Sequence, residues 1–131
     1  MLKKGHFAER KIKKELISYF GISEKDFFCI RCAKESFFDL ILKLKNKIFL
    51  IEVKNTKHNT FYFSKKKELL IQLNSLFSFC LPLSNVIPCV FIHHVGKIYP
   101  FRLTEEVLNN KKLSLKEEKV SLERFFKNEA Y

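Results

Sequence analysis

Asp39, Glu52 and Lys54 are the residues of this 131-residue chain whose types and spacing best fit a chemical site. Two runs read as strands, Phe38–Leu44 and Ile48–Asn55, with Lys45-Asn46-Lys47 between them. With Lys45-Asn46 as a two-residue turn, Asn46 taking the positive φ such turns favour, Leu44 pairs with Lys47. Counting back from that pair sets Asp39 across from Glu52, where facing Cβ atoms stand roughly 5 Å apart. Lys54, two residues beyond Glu52, shares its face of the strand. Facing carboxylates repel unless a positive charge stands between them. A divalent cation resolves this, and hard oxygen ligands suit magnesium, with manganese as a substitute. The backbone carbonyl of Val53 is a third candidate ligand. Such an ion polarises a scissile phosphate and activates a bound water, while Lys54 would orient or deprotonate that water or neutralise the pentavalent phosphate.

The Glu-x-Lys spacing alone is weak, because Glu9–Lys11 and Glu117–Lys119 repeat it. Only Glu52–Lys54 follows an apolar strand, Ile48–Ile51, with an Asp in register upstream. Spacing leaves a second reading open, a solvent-facing ion-pair ladder at the end of the hairpin.

The elements that must hold these groups form an α/β pattern. Phe7–Phe20 reads as a helix with Phe7, Ile12, Leu16, Ile17 and Phe20 inward. Gly21 is a C-terminal stop. Strands follow at Asp26–Cys32, at the hairpin and, briefly, at Thr60–Phe63. Ser64 is placed to cap a helix from about Lys65 to Phe79, with Leu69, Leu70, Leu73, Leu76 and Phe77 inward. Ile87–His93 reads as a buried strand, and Lys97–Leu103 as an edge strand because Pro100 cannot donate to a ladder. Thr104 caps a short helix, and a last helix covers Ser121 to Phe126. The expectation is a single nuclease-sized domain over 1–131, with a basic arm at 1–6, a central mixed β-sheet flanked by helices, and a helical segment at 104–131.

The totals agree with a globular chain that meets a polyanion. Hydrophobic residues make up 47%, including 15 Phe, so a core is available. The net charge of +11 favours nucleic acid or an anionic membrane surface. No apolar run reaches the roughly 20 residues of a bilayer span, and the charged first ten residues are no signal peptide; a cytoplasmic location is expected. No small-molecule substrate is implied. The four cysteines, at 29, 32, 80 and 89, are expected as free thiols. Cys29 and Cys32 fall on opposite faces of a strand, and so do His93 and His94, which argues against zinc or a shared metal. Lys65-Lys66-Lys67 reads equally well as a phosphate site near a helix N-terminus or as a solvated end.

Taken together, the motifs resemble the PD-(D/E)xK nuclease superfamily, and within it the archaeal Holliday junction resolvases. The residues that carry this are Lys4-Gly5-His6-Phe7-Ala8-Glu9-Arg10, then Ile30-Arg31, Asp39 and Ile51-Glu52-Val53-Lys54, with Thr56-Lys57 and Tyr62 behind. The resemblance covers about residues 3–103. It implies a restriction-endonuclease-like fold and a magnesium-dependent endonuclease that cuts four-way junctions as a homodimer. It adds Glu9 to the active site beside Asp39, Glu52 and Lys54, as a further candidate metal ligand. It puts Arg10 and Arg31 on DNA phosphates; Lys3, Lys4, Ser36, Lys57, Tyr62, Lys65 and Lys66 are further candidate DNA contacts. The chain departs from the family in the loop before Asp39, where Glu35 stands at the usual serine position and Ser36 comes one residue late, and in Cys80–Ile87, which is longer than the family's usual turn before its next strand. The alternatives are a nuclease of the same fold acting on flaps, nicks or duplex, and a basic DNA-binding protein without catalysis.

Overall fold

A hairpin of β2 (Leu40–Leu44) and β3 (Lys47–Asn55) organises the computed structural model, which describes residues 4–20, 28–31, 38–63, 65–115 and 120–130. The pairing is Leu44↔Lys47 through Leu40↔Ile51, the register expected from a two-residue turn. The positive φ falls on Lys45 (57°), not on Asn46 as expected. Leu40, Leu42 and Leu44 are buried and alternate with half-buried Ile41 and Lys43, the period-2 signature of a strand with two unlike faces.

Around this hairpin a five-stranded mixed sheet forms in the order β1-β2-β3-β5-β6, with β1 at Phe28–Arg31, β5 at Val86–His94 and β6 at Lys97–Arg102. Only β3 and β5 run parallel. Their connection carries α2 (Lys67–Cys80), as a parallel crossover requires. Pro88 sits inside β5 without breaking the β3 ladder. Its carbonyl accepts from Leu103 N–H at 2.9 Å, so the position lacking a donor faces the end of β6, past the last ladder pair. The edge position of β6 agrees with the reading of Pro100.

Helices cover both faces. On one, α1 (Lys4–Phe20) and α4 (Leu122–Ala130) bury Ala8, Ile12, Leu16, Phe125 and Phe126 against Leu40, Phe49, Ile51 and Phe91. On the other, α2 buries Leu69, Leu73, Leu76 and Cys80 against Leu50, Val90 and Ile92. The buried stripe of α1 is therefore 8-12-16. Phe7 and Ile17, expected inward, are 59% and 44% exposed, because one residue turns a helix by roughly 100°. Helix α1 starts at Lys4, so half of the expected basic arm is helical.

Three other expectations are corrected. Helix α2 begins at Lys67 with Lys66 at its cap and no side-chain capping bond; Ser64, expected there, lies outside the described residues. The 104–131 segment is not all helical: between α3 (Glu105–Asn110) and α4, Lys112–Ser114 forms β7, which pairs with β4 (Thr60–Tyr62) in a second small sheet. Strand β5 also runs one residue further at each end than expected. The Thr104 cap is present, its hydroxyl accepting from Val107 N–H at 3.2 Å.

Phe126 is fully buried, with its ring 4.8 Å from Phe49, 5.2 Å from Phe125 and 5.8 Å from Phe91. Phe126→Ala should destabilise the fold by about 3–5 kcal/mol. Urea unfolding would read this as a lower midpoint at unchanged slope.

Candidate active site

The site forms where β2 begins and β3 ends. Asp39 N–H donates to the Ile51 carbonyl at 2.8 Å, which brings Asp39 to the ladder's edge. Beyond that point β3 has no antiparallel neighbour among the described residues, and the Asp39 carboxylate takes the place, its Oδ2 accepting from Val53 N–H at 2.7 Å. A residue's N–H and C=O point to the same side of a strand, so the Val53 carbonyl faces the same gap.

Glu52 points to the α2 face and is 2% exposed. Its Oε2 accepts from Gln72 Nε2 of α2 at 2.7 Å, and its Oε1 lies 3.2 Å from Lys54 Nζ. Burial first, then the nearby Asp39 charge and a hydrogen bond between the two carboxyls, push Glu52 up to about 8; Lys54 pulls the other way. Two carboxyls therefore meet in a poorly solvated corner, and Glu52 is held towards its protonated form. That is the state that a divalent cation relieves by replacing the proton. Among the described residues no three His, Cys, Asp or Glu side chains gather round one point. The donor set is two carboxylates and one backbone carbonyl, all hard oxygens. It fits magnesium, which keeps several waters and takes one or two carboxylates.

The other predicted residues fall in three places. Glu9 is buried at 8% exposure on α1, which packs on the face opposite Glu52. Arg10 is exposed on α1 and lines a groove with Lys13, Lys14 and Ile17. Lys57 is exposed just after β3. Tyr62, Lys65 and Lys66 line a cavity that reaches Lys54, with Lys65 Nζ 5.3 Å from the centre of the Tyr62 ring. Lys3, Glu35 and Ser36 lie outside the described residues, as do the side chains of Lys4 and Arg31. The backbone of Arg31 pairs with Leu40, next to Asp39. His93 and His94 face opposite sides of β5, the first bonded to Asn55 Oδ1 at 2.9 Å and the second to the Thr56 carbonyl at 3.1 Å. Cys80 and Cys89 are buried free thiols. A further cavity, with Glu105 and Glu129 in its wall, sits at the other end of β3 and β5, away from the carboxyl pair. Gln72 went unrecognised in the sequence, where a neutral amide on an amphipathic helix gives no signal of its own.

The fold is that of a restriction-endonuclease-like α/β domain. No family model matches the sequence, and no curated protein matches it. Solved structures do match. One is the Holliday junction resolvase Hjc of Archaeoglobus fulgidus, an archaeal hyperthermophile, at a TM-score of 0.58 and 21% identity. The match spans 88% of this chain and 94% of that one. At that identity the likeness establishes a shared fold, the fold that the motifs implied. No helix among the described residues is long and apolar enough to cross a membrane.

Proposed function

We propose that this chain is a structure-selective DNA endonuclease that resolves four-way junctions by magnesium-dependent phosphodiester hydrolysis, with manganese as a substitute ion. The observation that carries the reading is the Asp39–Glu52 carboxyl pair at the end of β3, with Lys54 beside it and Glu52 pushed up to about 8. Asp39, Glu52 and the Val53 carbonyl would hold the ion; Glu9, on the opposite face, does not join them. When bound, the ion supplies Lewis-acid polarisation of the phosphate and an activated water.

The chain's own residues do the rest. Val53 N–H fixes Asp39 Oδ2, and Gln72 fixes Glu52 Oε2, so both carboxylates are oriented before any ligand arrives. The Lys54 ammonium, 34% exposed, reaches solvent from the Glu52 side, where it meets charge developing on phosphate. Arg10, Arg31, Lys3, Lys4, Ser36, Lys57, Lys65 and Lys66 bind the DNA backbone, which positions the substrate without reading sequence. A four-way junction has two-fold symmetry and needs two matched cuts, so one small domain acts as a homodimer, in the cytoplasm.

A labelled synthetic junction, offered with magnesium beside flap, nicked and duplex DNA of equal length, tests the substrate. Preferred junction cutting supports the proposal, whereas equal cutting of all four substrates would leave only a general nuclease. Salt-sensitive binding with no metal-dependent product would point to a DNA-binding protein without catalysis.

Gln72→Leu should weaken manganese binding about 10–100-fold, the usual cost of losing a group that orients a ligand. Calorimetry with the metal alone measures this, with circular dichroism to confirm an unchanged fold. An unchanged affinity would remove Gln72 from the site.

A further inference from the structure

The cavity that reaches Lys54 has a volume of about 740 Å³. Pockets for compact organic ligands span about 300–1,000 Å³, whereas a surface that only tracks a sugar-phosphate backbone needs cations on a shallow groove. Its lining differs from a plain phosphate groove as well. Asn59, just before β4, and Thr60 at its start supply neutral donors and acceptors, and the backbone of Asn55 borders them at the end of β3, its side chain being bonded to His93. Tyr62, 45% exposed, supplies a π-face, and Leu69 of α2 an apolar wall. Lys65 and Lys66 stand in the lining with them. An amide, a hydroxyl, an aromatic ring and lysines together match a nucleobase and its phosphate, since bases stack on aromatic rings in a sequence-tolerant way.

This wall is held in place. Strand β4 is paired with β7, Leu115 N–H donates to the Asn59 carbonyl at 2.7 Å, and Phe63 N–H donates to the Lys111 carbonyl at 2.8 Å. The cavity therefore exists without DNA, and it shares Lys54 with the carboxyl site.

We propose that this cavity receives one unstacked nucleotide of the DNA, beside the phosphate to be cut. The inference rests on the nuclease reading and deepens it. Freeing a base from an intact duplex is costly, and it costs least where pairing is already broken. A nucleotide pocket next to the scissile position thus favours branch points over continuous duplex by using the base itself, in addition to the shape of the backbone.

Two measurements test it. Without magnesium, a dT tetranucleotide should bind about tenfold tighter than an abasic tetramer of the same charge. Tyr62→Ala and Asn59→Ala, both at exposed side chains of β4 and its approach, should reduce that ratio to below about twofold. With magnesium, a junction abasic next to the cut should be cleaved about tenfold less efficiently than the intact junction. Equal binding of the two tetramers, or a ratio untouched by both variants, overturns the pocket even if junctions are cut. Base-dependent binding with no cutting of any DNA supports the pocket and sinks the nuclease reading, so the two failures are distinguishable.

Discussion

Glu52→Gln should lower magnesium-dependent junction cutting by about 10³-fold or more and, in the same protein, stabilise the metal-free fold at alkaline pH. The two effects have one origin. Glu52 is buried against Asp39, and its charged form is disfavoured to the point that it titrates near 8 and not near 4.5. The folded chain therefore holds a proton that the unfolded chain has already released. Stability that is present below about pH 4.5 is lost progressively as pH rises to 8, by about 5 kcal/mol in total. Glutamine keeps the shape and cannot ionise, so its variant should show little of that fall. Magnesium acts the other way on the native protein, since an ion that binds only the folded state stabilises it. Thermal melting from pH 5 to 9, with and without magnesium, reads all of this. Junction binding should survive the substitution, because the lysines and arginines that meet phosphate are untouched. A Glu52→Gln protein with the native pH dependence of melting would contradict the electrostatic account, and one that still cuts would contradict the catalytic one.

Lys54→Met should lower the single-turnover cutting rate about 10²–10³-fold, the size of a lost charge partner at a developing anion. Methionine preserves the stem and removes only the ammonium that lies 3.2 Å from Glu52. Lys54 is also the group that holds Glu52 down, so without it the Glu52 carboxyl moves further above 8. Metal binding at neutral pH should weaken as a consequence, because the ion must then displace a more tightly held proton. Junction affinity should change little, since a single phosphate contact is a small part of the electrostatic total. Saturating enzyme separates rate from binding, and a drop of less than tenfold would remove Lys54 from the chemistry.

What the sequence made legible was local. The hairpin register followed from a two-residue turn between period-2 strands, and it brought Asp39 and Glu52 together before any contact was seen. The Thr104 cap and the edge position of β6 were legible for the same reason, since each depends on neighbours in the chain. The illegible parts depend on distant partners. Gln72 meets Glu52 across a separation of 20 residues. Strand β7 is three residues, Lys-Leu-Ser, and exists only because β4 lies beside it. The left-handed residue of the first turn is Lys45, a choice that side-chain preference does not make. On α1 the apolar residues outnumber the places in the buried stripe, so Phe7 stays outside and meets the edge of His93 at 6.3 Å.

The central claim is that Asp39, Glu52 and Lys54 form a metal-dependent site for cutting branched DNA. Its most direct test is a time course on a labelled four-way junction and its matched duplex, with magnesium and with excess chelator. The account predicts paired cuts near the branch point, faster than any cutting of the duplex, that vanish with chelator and with Glu52→Gln. Junction cutting that persists in chelator, or none in any metal with the junction demonstrably bound, would contradict it.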